Sequence, residues 1–421
     1  MRAAASLAAL LGYAILTVWV EERCAWSLFQ AGIFVLAAWR WTRLPRLRMH
    51  MALAPLAAAA MWVWMQLALG TSVSRAITLG EALNWCTFVL VFALAAEVLA
   101  EPAARRRFLG SLTVFGMFLG FLAVLQKYSS GGRIFWLFQS PYQNEVLGPF
   151  VNRGQFAAWV ELLLPVALYL AATGRRLRPL YGCAAVVLFG AAIASASRAG
   201  FLLATGEVVA VAAALAARGA RARRAAGLAA LQFGALAAVA AAIAGWQDLA
   251  LRLELRQPEA LRMDALRASW EMVRDKPWMG SGLGTWPTVY PRYAGVDTGL
   301  FMNQAHNDWA QWAAEGGLPF VLFLAIFAVL LWKPALQSIY GVGTVAFLVN
   351  ALVDYPMQQR PALAAWFFAL AGAATAWQNR RTPTYDGPLR GTGPGPAGLA
   401  RGDPAGLQTP GAPAPPRPLR R

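Results

Sequence analysis

Long apolar segments recur along the whole chain and are separated by polar intervals. Many of them approach twenty residues, the length that an α-helix needs to cross about 30 Å of hydrocarbon. We expect twelve spans, near residues 4–20, 25–41, 50–69, 82–100, 108–126, 153–173, 179–197, 199–217, 225–245, 314–332, 336–353 and 361–378. The pattern predicts an all-α, polytopic integral membrane protein whose transmembrane domain covers residues 1–378.

Basic residues follow the even-numbered predicted spans. They are Arg40, Arg43, Arg46 and Arg48, then Arg105, Arg106 and Arg107, then Arg175, Arg176 and Arg178, then Arg218, Arg221, Arg223 and Arg224, then Lys333, and finally Arg380 and Arg381. Cytoplasmic loops of membrane proteins carry an excess of lysine and arginine. An even number of spans with both termini in the cytoplasm therefore accounts for the whole distribution.

A net charge of +17 would suit a protein that binds nucleic acid. The basic residues of this chain, however, fall largely in short loops on alternate sides of the membrane, which is the pattern of the positive-inside rule. We therefore expect membrane lipid, and no nucleic acid, around this protein. The three cysteines, Cys24, Cys86 and Cys183, lie within or beside apolar segments and show no metal-ligand spacing. The sequence predicts no disulfide framework, no metal site and no cofactor.

The longest polar interval, residues 246–307, follows an odd-numbered span and is expected to be a large periplasmic loop. Residues 251–274 show the spacing of an amphipathic helix, which Asp275-Lys276-Pro277 ends. Gly280, Gly282 and Gly284 then require a tightly turned segment. They do not form a dinucleotide-binding fingerprint, which would need a preceding strand and another glycine spacing. Short basic loops inside and long polar loops outside place the expected chemistry on the periplasmic side.

The chain changes character after residue 378. Residues 379–421 are rich in glycine and proline and contain few large apolar side chains. Such a segment cannot bury enough apolar surface to fold. We predict a disordered cytoplasmic tail.

Arginine residues stand at the outer ends of predicted spans, where a charge near hydrocarbon is costly. Arg153 opens the sixth span, and Arg198 lies in the short turn between the seventh and eighth. The planar guanidinium group is well suited to phosphate, although such residues also extend to lipid headgroups. His306 lies in the same compartment, and imidazole exchanges protons near neutral pH. These groups would suit a lipid-linked pyrophosphate substrate.

Several strings, taken in this order, resemble motifs of the O-antigen ligase and O-antigen polymerase superfamily. They are Gly148-Pro149-Phe150-Val151-Asn152-Arg153-Gly154, Ser197-Arg198-Ala199-Gly200, Asp275-Lys276-Pro277-Trp278-Met279-Gly280-Ser281-Gly282-Leu283-Gly284, Ala305-His306-Asn307-Asp308-Trp309 with Glu315-Gly316-Gly317-Leu318, and Asp354-Tyr355-Pro356. The resemblance spans roughly residues 145–360. Trp309 and Trp312 depart from it, since aliphatic or tyrosine residues are commoner there.

The resemblance implies a GT-C-like fold and metal-independent glycosyl transfer at the periplasmic face of the bacterial inner membrane. The donor would be a glycan on undecaprenyl pyrophosphate, and the acceptor the lipid A–core of lipopolysaccharide or another glycan. His306 would correspond to the catalytic base, and Arg198 to a ligand of the pyrophosphate. We further expect Arg153, and more weakly Arg75, to bind the donor, Asn307 to orient the imidazole, and Asp354 to orient a neighbouring arginine.

Other functions stay open at this point. A polymerase of lipid-linked repeats or a protein O-oligosaccharyltransferase would share these motifs. A metal-dependent GT-C enzyme could use Glu21 or Glu22 in the first outer loop, although this pair also suits a solvated end of span one. A twelve-span transporter or flippase would use in-span acids, here Glu97, Glu161 and Glu207, but the two halves of the chain differ in outer-loop length.

Overall fold

Helices make up most of the described structure. The computed structural model describes residues 2–43, 50–140, 143–174, 176–217, 259–295, 301–358 and 361–378, together with the single residues 234 and 299. The helices, numbered along these residues, are α1 (Arg2–Leu16), α2 (Arg23–Trp41), α3 (Leu53–Ala68), α4 (Arg75–Val98), α5 (Pro102–Ser129), α6 (Arg153–Thr173), α7 (Arg178–Ala194), α8 (Arg198–Ala216), α9 (Glu259–Asp275), α10 (Trp286–Val289), α11 (Asp308–Ser338), α12 (Val342–Asn350) and α13 (Pro361–Gln378).

Short elements complete the described chain. Two strands of two residues each, β1 (Arg133–Ile134) and β2 (Phe138–Gln139), pair in antiparallel fashion after α5. Single turns of 3-10 helix cover Gln143–Glu145 and Tyr290–Arg292. The predicted ninth span, residues 225–245, lies outside the described residues except for residue 234, and the predicted tail, residues 379–421, lies outside them entirely.

Five helices of the described chain are long and apolar enough to cross a membrane: α4, α5, α6, α8 and α11. The shorter helices α1, α3, α7 and α13 are also apolar. The chain is thus a mostly helical membrane protein, in agreement with the predicted class.

The observed helices differ from the predicted spans in their bounds, and for two spans the chain is also divided differently. The span expected at 314–332 is part of α11, which runs from Asp308 to Ser338 with a kink at Gly317, where φ is +74°. The span expected at 336–353 is divided between the end of α11 and the nine-residue helix α12. The division lies at Ile339, whose φ of +65° ends α11 because a branched side chain does not continue a helix in the left-handed region.

The helices pack around one large apolar core in which aromatic side chains are prominent. Trp159, Trp366, Phe92 and Phe327 are among its largest fully buried side chains. A second, smaller core lies where the inner face of α9 packs on Trp286 and Tyr290. All of the described residues belong to one compact unit, Met1–Thr382. The smaller core holds α9 against the start of α11, where the candidate residues lie.

Candidate functional site

The glycine-rich segment 280–284 forms the tightly turned loop expected from its sequence. Gly280, Gly282 and Gly284 have φ angles of +61°, +102° and +80°, a region that side-chain-bearing residues rarely adopt. The carboxylate of Glu315, on α11, accepts hydrogen bonds from the backbone N–H groups of Gly284 and Trp286, each at 2.9 Å. These hydrogen bonds therefore hold the loop, and the helix α10 that follows it, against α11.

His306 lies just before α11, with a φ of +54°. The edge of its ring meets Tyr355, with ring centroids 4.7 Å apart and an interplanar angle of 86°. Its Nδ1 atom lies 3.9 Å from an Asp354 oxygen, and 27% of the side chain is exposed. Burial, together with the positive charge of Arg262, lowers the pKa of His306 to about 4. The imidazole is consequently neutral at pH 7 and able to accept a proton.

Asn307 fastens the His306 loop to the backbone. Its side-chain oxygen accepts the N–H of Ala310 at 2.9 Å and so caps α11, while its amide donates to the carbonyl of Leu352 at 2.8 Å. The neighbouring Asp308 accepts the N–H of Met357 at 3.1 Å. Both groups of the Asn307 side chain are engaged with the backbone, so the structure places this residue as a support of the loop that carries His306.

Asp354 and Tyr355 lie against the first turn of α6. The side-chain oxygen of Asn152 caps this helix by accepting the N–H of Gly154 at 2.8 Å, and its amide donates to the Tyr355 hydroxyl at 3.0 Å. A Cβ atom at position 154 would overlap with the carboxylate of Asp354, so glycine is what admits Asp354 here. The positive end of the α6 dipole favours a carboxylate at this place.

Arg153 opens α6 beside the same carboxylate. Its guanidinium group forms an ion pair with Glu145, with 3.4 Å between nitrogen and oxygen. Burial raises the pKa of Asp354, and the positive charges of Arg262 and then Arg153 oppose that rise. The charges of Arg153 and Arg262 therefore both act on the Asp354 carboxylate.

Arg198 lies at the start of α8, at the same end of the helix bundle as Arg153. The Ser197 hydroxyl caps α8 by accepting the N–H of Gly200 at 3.2 Å. A Cβ atom on Gly200 would overlap with that of Ala157, so the first turn of α8 lies in direct contact with the second turn of α6. Measured along the helix axes, Arg153 and Arg198 therefore lie within about one helical turn of each other.

The comparison with protein families bears on this region. Residues 183–326 match the family model described as O-Antigen ligase. The chain carries an O-antigen ligase domain. The predicted resemblance to the ligase and polymerase superfamily is thereby confirmed, and the matched residues include Arg198 and His306. A search of curated proteins finds no match.

Arg75 lies apart from the other candidate arginines. It is the first residue of α4 and is exposed. The chain just before it bonds to the glycine-rich loop, because the N–H of Val73 donates to Ser281 at 2.9 Å. The structure thus places Arg75 beside the glycine-rich loop, whereas Arg153, His306 and Asp354 are grouped around the start of α6.

Arg262, in the O-antigen ligase domain, was not predicted as a site residue. It is exposed on α9, and its charge acts on His306, Asp354 and Tyr355. Asp264 fixes this part of α9 by accepting from the Tyr290 hydroxyl at 2.9 Å. The sequence predicted the amphipathic helix, but only its docking in three dimensions distinguishes Arg262 from the other arginines of that helix.

The remaining charged candidates lie elsewhere. Glu21 and Glu22 are exposed directly before α2. In the described part of the chain, no three histidine, cysteine, aspartate or glutamate side chains form a group that could hold a metal ion. Of the in-span acids, Glu97 forms an ion pair with Arg40 at 2.6 Å. Glu161 and Glu207 are fully buried in the bundle.

Proposed function

We propose that this protein transfers a glycan from an undecaprenyl-pyrophosphate donor to a sugar hydroxyl of an acceptor, the lipid A–core for a ligase. The observation that carries the proposal is the neutral imidazole of His306 beside Asp354, at the end of the bundle where Arg153 and Arg198 begin their helices. A proton acceptor next to cationic groups suits attack by a hydroxyl and departure of an anionic leaving group. The O-antigen ligase domain supports the same reaction class.

In the proposed reaction the acceptor hydroxyl attacks the anomeric carbon of the donor sugar. The bond from that carbon to the phosphate oxygen breaks, and the lipid pyrophosphate leaves with the bonding electrons. Arg198 and Arg153 stabilise its negative charge through paired N–H donors. The exposed edge of the His306 ring, with Nε2, receives the hydroxyl proton. Asp354, 3.9 Å from Nδ1, then stabilises the imidazolium that forms.

The direction of the helices supports a periplasmic site. Arg105, Arg106 and Arg107 lie in the first turns of α5, which runs from them towards the end where α6 begins. The basic residues are therefore at the opposite end of the bundle from Arg153, as the positive-inside rule requires for a periplasmic active site. Twelve spans, a GT-C-like architecture and two cytoplasmic termini are part of the same proposal.

A deletion strain distinguishes the ligase from the nearest alternatives. Loss of a ligase leaves lipopolysaccharide with bare core, while polymer accumulates on the lipid carrier. Loss of a polymerase instead leaves core with a single repeat, and loss of a protein O-oligosaccharyltransferase leaves lipopolysaccharide unchanged. Gel electrophoresis of the lipopolysaccharide reads all three outcomes, and an unchanged gel would reject the ligase.

Turnover by purified, reconstituted protein separates an enzyme from a transporter or flippase, because a carrier releases its substrate unchanged. The same assay in a chelator tests metal independence. Retained activity in the chelator and in a Glu21→Gln/Glu22→Gln double variant would dismiss the metal-dependent mechanism. Activity that is lost in the chelator and restored by a divalent cation would contradict our proposal.

The pH dependence should differ between the free and the donor-bound protein. His306 must be neutral to accept a proton, so kcat/KM should fall only as the pH approaches its free-protein pKa of about 4. Bound pyrophosphate brings negative charge that favours the imidazolium, which raises the pKa of His306 in the complex. The acid limb of kcat should therefore lie at higher pH than that of kcat/KM. Arg262→Gln should move the limb of kcat/KM upward; coincident limbs in both proteins would contradict this explanation.

Replacing Glu145 with glutamine should strengthen donor binding. The change removes the negative charge 3.4 Å from the Arg153 guanidinium, and it also removes repulsion of an anionic donor. For a partly exposed ion pair we expect the KM for the donor to fall by up to about 5-fold, with kcat little changed. Initial rates over a range of donor concentrations measure both values. Glu271→Gln, on the exposed α9 pair with Arg267, is the matched control; a higher KM in Glu145→Gln would contradict the prediction.

A further inference from the structure

A small polar cluster lies inside the apolar bundle, formed by Glu161 of α6, Glu207 of α8 and Asn350 of α12. The amide of Asn350 donates to both carboxylate oxygens of Glu161, at 3.0 Å each. Glu207 is 2% exposed, and in the described structure neither of its oxygens has a hydrogen-bond partner. It lies on α8, which packs directly against α6, the helix of Glu161. We call these three residues the buried polar cluster.

Each helix of the buried polar cluster leads to one residue of the proposed site. α6 begins at Arg153 and α8 at Arg198, while α12 ends four residues before Asp354. At 1.5 Å per residue, Glu161 and Glu207 lie about 12 Å and about 13.5 Å along their helices from these arginines. The three helices pack against one another. The buried polar cluster therefore lies between the three helices whose ends position Arg153, Arg198 and Asp354.

The link to Asp354 passes through the backbone. The carbonyl oxygen of Asn350 accepts the N–H of Asp354 at 2.9 Å, and that of Val353 at the same distance. One end of Asn350 thus holds the turn that carries Asp354, while its side chain is held by Glu161. A shift of Glu161 would move Asn350, and with it the carboxylate beside His306.

Glu207 occupies a place where an apolar residue would suffice for packing. The buried residues of α8 are Gly200, Ala204, Glu207 and Val211, a stripe at helical spacing. Burying a polar group without a hydrogen bond costs free energy that a leucine in this stripe would avoid. An ionisable residue retained inside a membrane span under that cost points to a role in function.

We infer that Glu161, Asn350 and Glu207 are positioning residues that set the spacing of Arg153, Arg198 and Asp354 around the substrate. The inference rests on the proposed function, because it names what fixes the geometry of that site. None of the three touches the proposed reacting atoms. Their effect on the rate acts through the three helices, since small misplacement of catalytic groups is costly to catalysis.

The test compares Glu161→Leu with Glu161→Gln. The leucine variant loses the acceptors of the Asn350 amide, and kcat should fall about 100-fold while the KM for the donor changes less. The glutamine variant keeps a side-chain oxygen for Asn350 and should restore most of the rate. Glu207→Leu should also lower kcat. The control is the double variant Arg40→Gln/Glu97→Gln, which removes another in-span acid with its partner and should leave kcat unchanged.

A second measurement does not depend on activity. Spin labels at Ala199 and Val353, beside Arg198 and Asp354, report the separation of α8 from the α12 turn in a background with Cys24, Cys86 and Cys183 replaced by serine. Glu161→Leu should broaden or shift the distance distribution, and Glu161→Gln should preserve it.

The two readouts separate the inference from the proposed function. A Glu161→Leu variant with wild-type kcat and an unchanged distance distribution would overturn the inference while leaving the proposed function intact. A wild-type protein without transferase activity would reject the proposed function, and the distances alone would then decide whether the cluster sets the spacing. A uniform loss of folded protein in all cluster variants, including Glu161→Gln, would show a purely structural role and overturn the inference.

Discussion

Replacing His306 with alanine should abolish glycan transfer. General base catalysis by a positioned side chain is worth about 10²–10⁴-fold in rate, and the described site offers no second neutral imidazole beside Asp354. His306 is partly exposed and bonds to no other described side chain, so its removal should leave the fold intact. Transfer is measured with purified protein, donor and acceptor, and in cells by lipopolysaccharide gels.

The controls for this variant separate chemistry from structure. The amount of His306→Ala protein in the membrane should equal that of the wild type. Tyr355→Phe keeps the ring that packs on the imidazole but removes the hydroxyl that accepts from Asn152, and it should reduce transfer far less. Normal transfer by His306→Ala would remove this residue from the mechanism.

Replacing Arg198 with alanine should cause the second largest loss, about 10²–10³-fold in kcat/KM. Removing one preorganised hydrogen-bond donor that stabilises a developing negative charge in an active site lowers the rate by about that factor. Arg198→Lys keeps the positive charge but loses the planar pair of N–H donors, so we expect only partial activity. Initial rates over a range of donor concentrations show whether the loss lies in binding or in turnover.

Arg75 supplies the matched comparison for Arg198. Both are arginines at the first position of a helix, but Arg75 lies beside the glycine-rich loop. Arg75→Ala should therefore cost much less than Arg198→Ala. Equal losses in the two variants would indicate a general electrostatic effect of the outer surface and would contradict a specific role for Arg198.

The sequence predicted the class of the fold and the strings that carry the candidate residues, because apolar length and helix caps are local signals. Asn152, Ser197 and Asn307 each cap the helix that begins beside Arg153, Arg198 or His306, and short polar side chains at helix starts are readable in a sequence. The O-antigen ligase match confirms the family on residues 183–326.

Boundaries were less predictable where polar residues serve tertiary contacts. Asp308 interrupts the apolar pattern before the tenth span, which was expected to begin at residue 314 and so to include Glu315. In the structure they belong to α11, because their carboxylates accept backbone N–H groups from Met357, Gly284 and Trp286. A hydrophobicity pattern does not contain that information.

Residues that act through space were not predictable either. Arg262 is one of several arginines on an amphipathic helix, and Glu145 lies in a polar interval without a motif. Their importance comes from neighbours distant in sequence, namely Asp354 for Arg262 and Arg153 for Glu145. The buried polar cluster likewise joins residues 189 positions apart.

The helix that begins at Arg198 is the least covered by protein among the five long apolar helices of the described chain, with 22% of its most apolar window buried. Among the described residues, most of this window is therefore not covered by other helices. A bilayer thinner or thicker than the apolar length of a helix favours tilting of that helix. Under the proposed function, bilayer thickness therefore acts on the position of Arg198, and transfer rates measured in bilayers of graded thickness should pass through an optimum.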